Sequence, residues 1–243
     1  MRRLTLACVL LAGAALAAPV PKGKVGFEAP AWEKTDPAKD CKFAYDAKAR
    51  SVTFTLPAVA PVRVAGLDEK NDKAPRLLRP AGKGDFDAQV RVRVASEAGV
   101  VMAVLLVADR AKGAPGFDRG FGAAFRVEDE RWTEATVLRR RRGEGDLSGW
   151  SDAPHRVVKG GGGKELREAH LKVQRRGETL KAYLSADGKE WSGPYEPLPR
   201  RRPFTYPGEL RVGVAVMCRT TRAAEVTFDQ FKLTPVKAGK KKD

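Results

Sequence analysis

The side chains in this sequence that could do chemistry are Arg91, Arg93, Arg126, Glu128, His170, Lys172, Gln174, Lys181 and Tyr183. Each sits at an alternate position in a stretch whose intervening residues are apolar. In 85-DFDAQVRVRVA-95, Phe86, Ala88, Val90, Val92 and Val94 share one parity, and Asp87, Gln89, Arg91 and Arg93 share the other. Successive side chains on a strand point to opposite faces, so these donors gather on a polar face. Guanidinium, ammonium and amide groups beside one phenol suit an anionic or hydroxyl-rich ligand, which planar donors hold by paired hydrogen bonds.

The segment 171-LKVQRRGETLKAYLSADGKEW-191 predicts how part of that face is built. With Arg176-Gly177 as a two-residue turn, where glycine supplies the positive φ, Val173 pairs with Leu180 and Lys172 with Lys181. Leu171, Val173, Leu180, Ala182 and Leu184 then face a core, and His170, Lys172, Gln174, Lys181 and Tyr183 face outward. Directly opposed like charges cost about a few tenths of a kcal/mol. An intervening acid such as Glu128, an anionic ligand, or simple splaying of the lysine stems into water would relieve that cost. A second turn at Asp187-Gly188 leads to Trp191, expected to be buried beneath it.

Catalytic constellations are sparse. In 127-VEDERWTE-134, Glu128, Asp129 and Glu130 are consecutive and alternate faces, which suits a charged strand end better than a carboxylate pair. The two histidines, His155 and His170, lack metal-ligand spacing. Ser185, His170 and Asp187 are types found in a triad, but their spacing favours none. The run 160-GGGG-163 lacks the Lys-Ser/Thr of a phosphate loop.

The elements that position these groups follow from the rest of the chain. Residues 1–17, MRRLTLACVLLAGAALA, combine a positive start, an apolar run and a small-x-small cleavage site, which predicts a signal peptide and an exported, periplasmic or extracellular protein. Residues 18–31 read as a linker rich in Pro and Gly, and 235–243 as a basic disordered tail. The formal net charge is +16, and cleavage would remove only Arg2 and Arg3 from it, so acidic partners such as anionic glycans or envelope phosphates are favoured. Nucleic acid is disfavoured by export and by the lack of a recognisable module. The clusters 139-RRRR-142 and 200-RRR-202 could grip sulfate, uronate or phosphate, or form a solvated basic surface. Two cysteines would remain after cleavage, Cys41 and Cys218, as a disulfide between an early and a late strand or as two buried thiols.

Period-two alternation dominates residues 32–234, with further strands expected near 41–45, 50–56, 76–79, 121–128, 134–140, 210–218 and 225–233. The run 99-GVVMAVLLVA-108 is apolar on both parities, as for a central strand covered on both sides. No amphipathic helix is evident. About a dozen short strands with dense turn residues predict an all-β, two-sheet antiparallel sandwich in a single domain. On it, the polar groups above and the small residues Gly213 and Ala215 would form one concave face. Trp132, Trp150, Trp191, Tyr195 and Tyr206 are candidate stacking platforms for sugar rings.

The stretch LKVQRRGETLKAYLSADGKEW, followed by ELRVGVAVMC and EVTFDQFKL, resembles the closing half of a concanavalin A-like lectin/glucanase domain. It is similar to secreted bacterial LamG-like and 3-keto-disaccharide hydrolase-like domains. The segments 32-WEK-34, 41-CKF-43 and 77-LLRPAGKGDFDAQVRV-92 resemble the opening half. The resemblance implies a jelly-roll sandwich and a carbohydrate or envelope-glycan partner. Glucanases of this superfamily carry Glu-x-Asp-x-Glu on one strand, which 127–134 lacks. Calcium is common there, and the resemblance nominates Asp229, with Asp85 or Asp87, as ligands. Its function is expected to be noncatalytic glycan binding or envelope interaction, with a sugar-processing hydrolase as the alternative.

Overall fold

The computed structural model describes residues 26–27, 32–59, 63–65, 67, 72–96, 99–109, 119–128, 132–141, 167–195, 206 and 208–236. The expected signal peptide, the side chains of both arginine clusters, His155, and the side chains of Trp132, Trp150 and Tyr195 lie outside the described residues. The described strands are β1 (Glu33–Thr35), β2 (Lys42–Asp46), β3 (Ser51–Leu56), β4 (Arg63–Ala65), β5 (Arg76–Gly82), β6 (Asp85–Ser96), β7 (Val100–Asp109), β8 (Arg119–Glu128), β9 (Trp132–Arg141), β10 (Glu168–Arg176), β11 (Thr179–Ser185), β12 (Ser192–Tyr195), β13 (Leu210–Thr220) and β14 (Ala224–Val236). They pair antiparallel in two seven-stranded sheets. Sheet I runs β1–β5–β13–β7–β8–β9, with β4 beside β13. Sheet II runs β12–β11–β10–β6–β14–β3–β2.

The alternation read from the sequence is the reason for the sandwich. Phe86, Ala88, Val90, Val92 and Val94 of β6 are buried with Leu171 and Val173 of β10, Val226 and Phe228 of β14, and Val212, Val214 and Val216 of β13. This is one dry layer between the sheets, the inner halves of strands whose other halves face away. The two sheets differ in what those other halves are. On sheet I, Met102, Val104 and Leu106 of β7, Ala124 of β8 and Ala215 of β13 form a second buried apolar cluster with Leu67, Ala74 and Leu78. Strand β7 is therefore buried on both faces, as its unbroken apolar run requires. Sheet II presents a polar outer face along β6, β10 and β11.

The core extends beyond the expected domain limits. Phe27, in the segment read as a linker, is buried against Trp32 and Phe231, with ring centroids 5.0 and 5.6 Å away. Strand β14 continues to Val236. Tyr206, expected as a stacking platform, is instead fully buried, and its hydroxyl donates to the Gly120 carbonyl. Its backbone carbonyl and that of Gly208 accept from the guanidinium of buried Arg175, which also donates to Gly177. Those carbonyls allow a cation to sit on the core side of the hairpin. Cys41 and Cys218 are buried in the inter-sheet core and are not joined as a disulfide.

Gly213 of β13 marks where two strands approach too closely for a side chain. A Cβ built there would lie 1.9 Å from the Leu77 carbonyl oxygen. Backbone rather than a flexible side-chain end is in the way, so β5 and β13 would have to separate. Gly213→Ala is expected to destabilise the protein by about 3 kcal/mol or more, read as a lowered urea midpoint with an unchanged slope.

Candidate functional site

The outer face of sheet II is ordered in cross-strand rows. The first is Thr227–Arg93–Glu168 and the second Asp229–Arg91–His170–Ser185. The third is Gln89–Lys172–Tyr183 and the fourth Asp87–Gln174–Lys181. Seven of the sequence-predicted site residues, Arg91, Arg93, His170, Lys172, Gln174, Lys181 and Tyr183, thus share one face. Arg126 and Glu128 do not. They belong to β8 in sheet I, share the face of Ala124 and pair with each other on the opposite outer surface. Gly213 and Ala215 lie on that sheet too. Alternation assigns a residue to a face but is silent about which sheet owns the strand, so the expected small-residue floor and the acid between the lysines are both displaced.

The hairpin has the predicted faces and a different register. Arg176 pairs with Thr179, so Gly177 and Glu178 form the turn, with φ at Gly177 of 59°. Lys172 therefore faces Tyr183 and not Lys181. A slip of two residues keeps every side chain on its face, which is why parity alone could not detect it. The ammonium of Lys172 lies 4.5 Å from the centroid of the Tyr183 ring and 4.2 Å from that of Trp191. Cation–π attraction to two rings takes the place of the splaying expected for opposed lysines. Trp191 is half-buried on this outer face and not in the core. Burial pushes the Lys172 ammonium down from its ordinary pKa, with the charge of Asp87 opposing.

Asp229 organises the neighbouring rows. Its Oδ1 accepts from Arg91 Nε at 2.8 Å, and its Oδ2 from Arg91 Nη2 at 2.8 Å and Arg93 Nη2 at 3.0 Å. Its side chain is 6% exposed, against 28% for Arg91 and 50% for Arg93. The hydrogen bonds to Asp229, opposed by burial, raise the Arg91 pKa above its ordinary value. Both carboxylate oxygens are engaged by guanidinium groups, so Asp229 as placed anchors arginines where the resemblance nominated a calcium ligand. Asp85 and Asp87 are engaged as well, by the Gly177 amide at 2.7 Å and by Arg176 at 2.7 Å. Among the described residues no group of three His, Cys, Asp or Glu is placed to hold a metal.

Ser185, His170 and Asp187 are brought together, but not as a triad. Ser185 Oγ bonds Asp187 Oδ1 at 3.0 Å and accepts from the Gly188 amide at 2.8 Å, so it builds the turn. The His170 ring packs against Gly188, where a Cβ would lie 2.9 Å from it. Amides of Lys189 and Glu190, with the Ser185 hydroxyl, hold the Asp187 carboxyl down at about 2.

A cleft that sequence reasoning missed opens at the Arg93 end of this face. It measures about 720 Å³ and is lined by Thr55, Arg93, Ala95, Arg167, Glu168, Ala223, Glu225 and Thr227, with Val94, Ser96 and Ala224. Small residues on β3, β6 and β14 make the floor, and two arginines and two glutamates the rim. Nη1 of Arg167 is buried without a hydrogen-bond partner among the described residues. The legible signal was small polar residues at outward parity, Thr227 on the strand beside that of Arg93 and Thr55 on the next strand out.

No protein-family model matches the chain, and no curated protein does. Solved structures do. A functionally unknown protein from Saccharomyces cerevisiae superposes with a TM-score of 0.57 at 20% identity, over 88% of this chain and 100% of that one. The exoplasmic/lumenal domain of VIP36, in its Ca2+/Man3GlcNAc-bound form, gives 0.53 at 13% identity, covering 89% of each chain. A structure described with endo-acting O-glycanases of the human gut microbiota gives 0.53 at 12% identity, over 88% and 95%. The chain is a concanavalin A-like jelly-roll sandwich. At such identities the likeness establishes the fold alone.

Two outcomes follow from the charges. Asp229→Asn leaves Arg91 and Arg93 without their shared acid and is expected to cost about 2 kcal/mol, less than for a fully buried pair because Arg93 is half exposed; urea titration reads it. Burial first, then the Arg91 charge, lowers the His170 pKa, against the weaker opposing pull of Glu168, Asp229 and Asp187. A depressed histidine contributes stability that is fully present above about pH 6.5 and is lost as pH falls through its folded value. The melting temperature should therefore decline below that pH, and less steeply in His170→Asn.

Proposed function

We propose that this protein is an exported, noncatalytic carbohydrate-binding module that holds a glycan on the outer face of sheet II and favours acidic chains. The observation that carries the proposal is Arg93, fixed by Asp229 at the rim of a cleft floored by small side chains. A guanidinium already oriented loses less conformational freedom when it grips a carboxylate or sulfate. Glu168, Glu225, Thr55 and Thr227 supply acceptors and hydroxyls that suit sugar hydroxyl groups. Export rests on the leader-like residues 1–17. Two structural neighbours, one in a Man3GlcNAc-bound form and one described with endo-acting O-glycanases, agree with a sugar ligand.

One observation favours a hydrolase as the second reading. Glu168 and Glu225 line the same cleft from strands on either side of β6. Two strand spacings and two residues separate their Cα atoms by about 12 Å, from which side chains could reach towards one another across a glycosidic bond.

Retention of residues 18–243 on neutral and acidic polysaccharides at low and high salt, with reducing-sugar release assayed in parallel, separates these readings. Salt-sensitive retention on acidic polymers without release is expected. Arg93→Ala should weaken it about tenfold or more, as for loss of a charge-assisted hydrogen bond. Sugar release that disappears in Glu168→Gln or Glu225→Gln would establish the hydrolase instead. Equal indifference to every polysaccharide would remove the sugar reading altogether.

A further inference from the structure

A second cation on this face stands apart from the cleft. The Lys172 ammonium lies against the Tyr183 and Trp191 rings, and no ion pair reaches it among the described residues. Aromatic faces attract an ammonium but accept its three N–H donors only weakly. Its donors remain available to an anion, beside two half-buried rings on which an apolar sugar face can stack. At the other end, Arg93 is half exposed and donates one Nη2 hydrogen bond to Asp229, which leaves further donors at the cleft rim.

The register gives the spacing of the strand positions that carry these two cations. Arg93 lies opposite Glu168, and Lys172 on the same strand as Glu168 lies opposite Gln89. Four residues along the strands and one strand spacing across them separate the Arg93 and Lys172 Cα atoms by about 14 Å. That span exceeds the length of a disaccharide. The row between them, Arg91 and His170 backed by Asp229, is polar and continuous, so no apolar ridge divides the face.

We infer that the cleft and the Lys172–Tyr183–Trp191 pincer are the two ends of one track for an extended acidic polysaccharide, engaging two anionic groups more than a disaccharide apart. This deepens the carbohydrate reading and rests on it. The ligand class is a chain bearing regularly spaced carboxylates or sulfates. A short acidic sugar reaches only the cleft, and a longer one gains the pincer as an intramolecular second contact.

The test is calorimetric titration of residues 18–243 with oligouronates of increasing length, from the disaccharide to the octasaccharide. Affinity is expected to rise about tenfold or more once the chain spans both cations, then to level off. Lys172→Gln should abolish that gain and leave disaccharide binding unchanged, Lys172→Arg should keep most of it, and Arg93→Ala should weaken every length. Melting temperatures of the variants, matched to the parent, separate lost contacts from lost folding. Binding with no length dependence, or a Lys172→Gln loss equal at every length, overturns the track and leaves the carbohydrate reading standing. Absence of binding at every length overturns both. A length dependence found with polyphosphate and not with oligouronates also overturns it, in favour of a phosphate polymer.

Discussion

One dry layer between two sheets governs this molecule. Every strand that contributes to it must offer an apolar side chain at each second residue, because the pleat allows no other spacing. Strands β6, β10, β13 and β14 meet that demand almost without exception. Half of their residues are thereby committed, and the remaining half are free to be whatever the outer surface requires. Sheet I uses its free half for a second apolar cluster, and sheet II uses its half for charge. The difference between a sheet backed by apolar side chains and a charged one is thus a consequence of what was left over once the shared layer was made.

Charge on the polar sheet is managed by desolvation as much as by pairing. Asp229 is nearly buried, and two guanidinium groups compensate it at hydrogen-bonding distance. One of those groups, Arg93, also reaches solvent at the cleft, so a buried acid sets the position of an exposed base. Lys172 is held differently, against ring faces. Polar groups held in place in these two different ways lie on strands joined by direct pairing, which keeps their spacing fixed by the backbone rather than by loops.

What could be read from the sequence divides along physical lines. Alternation is a local property, so the faces of Arg91, Arg93, His170, Lys172, Gln174, Lys181 and Tyr183 were legible, as was the central position of β7 from its unbroken apolar run. Register is only half local: sliding the β10–β11 hairpin by two residues leaves every face intact and still replaces the Lys172–Lys181 pair with Lys172–Tyr183. Sheet membership is not local at all. Arg126 and Glu128 have the right parity on the wrong sheet, and nothing near them in the chain says so. The aromatic residues fared worst, because a ring such as Trp191 or Tyr206 gains from burial in the core and from half-burial at a surface. Phe27 shows the same limit, since a short segment rich in Pro and Gly can still place one ring in the core.

The bulge on β14 has a consequence for how the chain finds this arrangement. Up to Asp229 the strand runs opposite β6 in one register, and from Lys232 onward it runs one residue out of step, with Gln230 at a φ of 54° absorbing the extra residue. A regular strand can slide by two residues and still match its partner's pleat, trapping a folding chain in a neighbouring alignment. A strand with an irregularity at one point cannot, because any displacement carries the kink to a place where β6 has no complementary feature. The bulge therefore works as a key tooth, admitting one alignment of the long central pair and rejecting its near neighbours. The same tooth sets Asp229 opposite Arg91 whenever β14 docks.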